Sequence, residues 1–227
     1  LVYQTIKENP FKKCNMHYFF TILIITIFQV SALAQDSILI KLQQNMDRQE
    51  AEQKELVYSY NTISYVHKLD KHGVVKKTDT TKTWHKFKGD SLQEYTLLYS
   101  SNKKEEKSEG MKRRSEKVKL PKLNDPAYNF RVDPTSGKVA FNPKKPKKGD
   151  VAGELLYDPQ DLTCKQINAT MPKLKWPVKE LEMEMRFIQI KEFLFPSEFR
   201  VQVGWNALIN RGRIRVVSQN SDFKIYQ

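Results

Sequence analysis

The 227 residues suffice for one large domain or two small ones, and a composition 39% hydrophobic and 11% aromatic can bury a core, which excludes a chain disordered throughout. Thirty-nine Lys and Arg against 26 Asp and Glu give a net charge of +13, which favours anionic partners without choosing among them. Two cysteines, Cys14 and Cys164, are too few for a disulfide-stapled scaffold or an all-cysteine zinc site.

Residues 19–30 read FFTILIITIFQV, with only Thr21, Thr26 and Gln29 polar. That is short of the roughly 20 residues a spanning helix needs and fits the core of a signal peptide. Ala32 and Ala34 then stand at the −3 and −1 positions ahead of Gln35, with Lys12 and Lys13 upstream. This predicts residues 1–34 as a signal peptide with an upstream extension, cleaved after Ala34, and residues 35–227 as a single exported domain in the periplasm. No cysteine follows the apolar run, so a soluble chain is expected rather than a lipid-anchored one. After export Cys164 is the only thiol, read as a small buried apolar side chain and not a nucleophile.

Residues 37–56 carry Ile38, Leu42 and Met46 at i, i+4 and i+8 among Gln, Glu and Lys, with no Gly or Pro. The spacing predicts a helix, capped by Ser37, whose narrow stripe can pack on one sheet. From Tyr58 three β-branched and aromatic runs alternate with the turns around Gly73 and Gly89, predicting an antiparallel meander of three long strands. Residues 102–119 are mostly charged and read as a solvated segment. Between Pro121 and Pro159 stand six of the ten prolines among short strands at 128–132, 139–141 and 153–157, read as a crossing rather than a core.

The clearest pattern is C-terminal. In Leu181-Glu182-Met183-Glu184-Met185-Arg186-Phe187 the odd positions are apolar and the even ones charged. Phe199-Arg200-Val201-Gln202-Val203-Gly204-Trp205 repeats the alternation, and Arg213-Ile214-Arg215-Val216 follows it more briefly. A strand points successive side chains to opposite faces, so three strands present one apolar and one charged face. A single helical stripe cannot cover that apolar face, which leaves a closed barrel or a half-open sheet with a hydrophobic concavity. The fold class is α+β: a curved antiparallel sheet, an incomplete barrel, packed on an N-terminal helix.

Taken in order, the helix, then VVKKTDTTKTW, DPQDLTCKQINATMPKLKWPVKELEMEMRF, FLFPSEFRVQV and NSDFKIY resemble the periplasmic superfamily of outer-membrane lipoprotein carriers of the LolA and LolB type, over roughly residues 37–227. The resemblance implies an unclosed barrel around helices with an apolar cavity for acyl chains. By position it implies that Leu181, Met183, Met185, Phe187, Phe199, Val201, Val203 and Trp205 line that cavity. The two methionines suit a ligand of variable shape. No arginine here matches the one that controls cavity opening in those carriers, and the lysine-rich segments are not a carrier feature.

Nothing in the sequence supports catalysis. His67, His72 and His85 lack a compact set of further ligands, so no metal and no cofactor is expected. There is no Gly-rich phosphate loop, no GxSxG and no HExxH. Glu182 and Glu184 read as a solvated charge stripe. Lys144, Lys145, Lys147 and Lys148 are candidate contacts to an anionic envelope surface; aromatics are not interleaved with the basic runs as nucleic-acid stacking demands. The expectation is a monomeric, non-enzymatic carrier of lipid or lipoprotein acyl chains. The alternative is a secreted envelope module with a filled core whose lysine-rich loops bind anionic surfaces.

Overall fold

The computed structural model describes residues 36–102, 120–207 and 210–226. The expected signal peptide and residues 103–119 of the charged segment lie outside them. The described residues fold into helix α1 (36–53) and ten strands: β1 Val57–Leu69, β2 Val75–Lys88, β3 Ser91–Ser100, β4 Tyr128–Asp133, β5 Lys138–Pro143, β6 Ala152–Tyr157, β7 Cys164–Thr170, β8 Val178–Ile190, β9 Phe193–Asn206 and β10 Arg211–Tyr226. All strands join one sheet in the order β3-β2-β1-β10-β9-β8-β7-β6-β5-β4, every described neighbour pairing antiparallel. Its two edges, β3 and β4, do not pair with each other, so the sheet is unclosed. The architecture is mostly β with a single described helix, a narrower description than α+β conveys.

The meander of β1 to β3 matches the expectation from the turns at Gly73 and Gly89. Helix α1 stops three residues earlier than its composition suggests, because the Leu56 carbonyl accepts the Gly89 N–H at 2.8 Å and draws the chain into β1. The proline-rich stretch is the main correction. The expected crossing holds β4 to β6, which with β7 carry most of the sealed apolar side chains of the sheet: Val132, Val139, Phe141, Leu155 and Ile167 are each 5% exposed or less. The prolines fall in the turns or at the end of β5, where a missing N–H costs no ladder bond, so each strand between them stays intact.

Register explains why these residues share a face. Phe130 pairs with Phe141, Val132 with Val139, Val139 with Leu155, and Leu155 with Ile167. Helix α1 lies against this face, with Leu42 fully buried and Ile38, Leu39 and Met46 packed beside it. Leu123 joins the same cluster, and its N–H donates to Gln43 Oε1 at 2.7 Å. Cys164 sits in this core as expected, and burial pushes its thiol up to about 12.

Candidate functional site: the inner face of β8 to β10

The same inner face continues across β8, β9 and β10. Leu181 pairs with Val203, Met183 with Val201 and Met185 with Phe199, while Val178 opposes Trp205. On β10, Val216 opposes Val201 and Ile214 opposes Val203. The eight residues singled out in the sequence are thus on two adjacent strands, and seven of them fall on matched or neighbouring rungs. Phe187 opposes Pro196 beyond a bulge at Arg186/Phe187.

Their burial differs from that of the helix-covered strands. All eight are half-buried, and none is among the sealed core residues. Met183 and Phe187 touch the margin of the core under α1. Leu181, Met185, Phe199, Val201, Val203 and Trp205 extend beyond that cluster. Trp205 lies over Gly212, where a Cβ would come within 2.4 Å of the indole, so the glycine is what lets the ring lie flat on the sheet.

An aromatic box closes the other end of this face. Tyr58, Tyr60 and Phe87 stack at 5.4 to 6.1 Å, and Phe195, only 1% exposed, meets Tyr58 at 4.9 Å and Phe223 at 5.2 Å. Burial holds the His85 imidazole below its ordinary range and favours its neutral form, with Nε2 2.7 Å from Thr83 Oγ1. Burial also pushes the Tyr58 phenol up to about 12 and raises that of Tyr60. Between the box and the apolar rungs lie two polar ones: Thr62 Oγ1 donates to Asn220 Oδ1 at 2.8 Å, and the Ser64 and Ser218 hydroxyls share a hydrogen bond at 2.8 Å. The composition showed these aromatics; only the pairing of β1 with β10 shows that they meet.

The opposite face is charged, as the alternation requires. Glu184 pairs with Arg186 at 2.7 Å and with Arg200 at 3.3 Å, and Arg213 pairs with Glu180 at 2.7 Å. Gln202 Oε1 accepts two bonds from Arg215 at 2.9 and 2.8 Å while its amide donates to Glu180. Two concavities of about 520 and 510 Å³ open on this charged face, edged by Met183 in one and Trp205 in the other. The inner residues instead form a half-covered strip.

The remaining candidates are dispersed. His67 Nδ1 is 2.9 Å from Thr78 Oγ1, and the His72 backbone N–H donates to Asp70. Among the described residues no three His, Cys, Asp or Glu side chains gather as a metal site. Lys144, Lys145, Lys147 and Lys148 are exposed in the turn from β5 to β6, and Lys144 Nζ donates to the Pro126 carbonyl at 2.8 Å. Among the described residues no helix is long and apolar enough to cross a membrane.

No family model matches the sequence, and no curated protein matches it. Among solved structures the chain is similar to a LolA superfamily protein from Nitrosomonas europaea. The likeness covers 85% of this chain and 93% of that one, at 12% identity and a TM-score of 0.33. It is distant. A likeness of that depth says nothing about ligand or site.

Proposed function

We propose that the protein is a non-catalytic carrier, working after export, that holds the acyl chain of a lipid or lipoprotein against the half-covered strip of β8 to β10. One observation carries the reading. Under α1 the inner face is sealed, whereas among the described residues six apolar side chains from Leu181 to Trp205 continue it outside that sealed cluster, each only partly buried. Contiguous apolar surface of this kind marks a binding surface on a soluble protein. A flexible acyl chain suits it, since Met185 and its neighbours offer dispersion contacts with few directional demands.

The test is native mass spectrometry of protein purified from an exporting host, followed by organic extraction. Co-purifying phospholipid or acylated peptide that disappears in Met185→Ala supports the carrier. A bare mass and a lipid-free extract, from protein that unfolds cooperatively, would overturn it in favour of an interaction module without a ligand.

A further inference from the structure

The two ends of the sheet differ in charge. The connections from β1 to β2, β3 to β4, β5 to β6, β7 to β8 and β9 to β10 all lie at one end, because their strands alternate in direction along the sheet. In their described residues, 70–74, 101–102, 120–127, 144–151, 171–177, 207 and 210, eight lysines face only three acids, Asp70, Asp125 and Asp150. All three acids hold their own turns: Asp70 Oδ1 accepts the N–H groups of His72 at 2.8 Å and Val74 at 3.0 Å, Asp125 Oδ1 accepts that of Ala127 at 2.8 Å, and Asp150 Oδ2 accepts that of Lys147 at 2.7 Å. Turns 54–56, 89–90, 134–137, 158–163 and 191–192 at the far end reverse the balance, with five acids against Lys54 and Lys191. Among the described residues the molecule is a dipole along its strands, its lysine end turned toward any negative surface.

That end also carries an apolar side chain that charge alone does not explain. Trp176, in the β7–β8 turn Lys173-Leu174-Lys175-Trp176-Pro177, is 62% exposed. Val74 in the β1–β2 turn is 60% exposed. A soluble polyanion would engage the lysines and leave the indole idle. A bilayer of anionic lipid engages both, because the indole partitions to the headgroup layer and lysines gain from the negative surface.

We propose that this end of the sheet docks on an anionic lipid bilayer, with Trp176 seated among the headgroups and the lysine turns against the surface. The inference goes beyond amphiphile binding and stands without it, although the apolar rungs Leu181/Val203 and Ile214 lie toward the same end.

The full chain is sedimented with vesicles of phosphatidylcholine alone and of phosphatidylcholine with phosphatidylglycerol, while tryptophan emission is followed. Binding is expected only with phosphatidylglycerol, weakening with salt, and with a blue shift that Trp176→Ser removes. At about 1 kcal/mol per lysine, the triple variant Lys145→Gln, Lys147→Gln, Lys148→Gln should bind about 100-fold more weakly. These residues are exposed, so the variants keep the fold. Equal binding to heparin, with no blue shift on vesicles, would overturn the proposal in favour of a polyanion site. So would vesicle binding unchanged in the triple variant. Met185→Ala should leave docking intact while removing amphiphile binding, so the two readings fail separately.

Discussion

Truncating Leu42 and Met185 to Ala in parallel separates a sealed core from a half-covered strip. Leu42 is 0% exposed and packs from α1 into the cluster around Val139 and Phe141, so Leu42→Ala removes apolar contact and leaves a cavity. Fully buried leucines lose about 3 to 5 kcal/mol on such truncation. Met185 is only partly buried and lies outside that cluster, so its truncation leaves no sealed cavity and its loss should be about 1 kcal/mol. For a domain of this size 1 kcal/mol moves the melting temperature by about 2 to 4 °C, placing the expected falls near 10 °C for Leu42→Ala and about 3 °C for Met185→Ala. Urea denaturation followed by circular dichroism reads both variants on the ligand-free protein. Equal losses would refute the reasoning, because they would mean that Met185 lies in a core as sealed as that of Leu42.

Two further outcomes test the fold. A Cβ on Gly153 would stand 2.0 Å from the Asn168 carbonyl oxygen, a backbone atom of the paired strand, so Gly153→Ala should force β6 from β7 and unfold the protein at much lower urea; an unchanged midpoint would contradict that packing. Burial raises the Cys164 thiol from about 9 to about 12, so from pH 9 upward the unfolded chain releases a proton that the folded chain keeps, and stability falls as pH rises. Denaturation at pH 8 and 10.5 should show Cys164→Ala losing less stability than the parent, and an equal loss would refute the buried thiol.

The strongest periodicities survived folding best. β8 extends its alternating run by three residues at each end and β9 extends its run by six before Phe199 and one after Trp205, the pairing continuing past bulges at Val178/Glu180 and Arg186/Phe187. β10 is far longer than its four-residue signal: Ser218, Gln219 and Asn220 break the apolar pattern, yet Ser218 and Asn220 bond across to Ser64 and Thr62. The proline count misled because spacing matters more than number; prolines in turns mark where strands end without weakening them. The eight strip residues were legible from alternation alone, but their half-burial was not, since it depends on where α1 stops. The basic end was illegible too: Lys71, Lys148 and Lys175 are far apart in sequence and meet at one end only through the sheet order.

The pairing of β1 with β10 couples the first strand of the sheet to the last one described. As synthesis proceeds from the N-terminus, the β1–β3 meander emerges early and can form its own hairpins. It has no place in the larger sheet until β10 arrives to bridge it to β9, with twelve rungs to β1. The fold is therefore completed late, by a contact of high sequence separation, which slows the final step. Until then the aromatic box lacks Phe223 and the strip lacks Ile214 and Val216. A nascent or shortened chain that ends before β10 exposes both apolar surfaces at once, making the closing strand a checkpoint between a productive intermediate and an aggregating one.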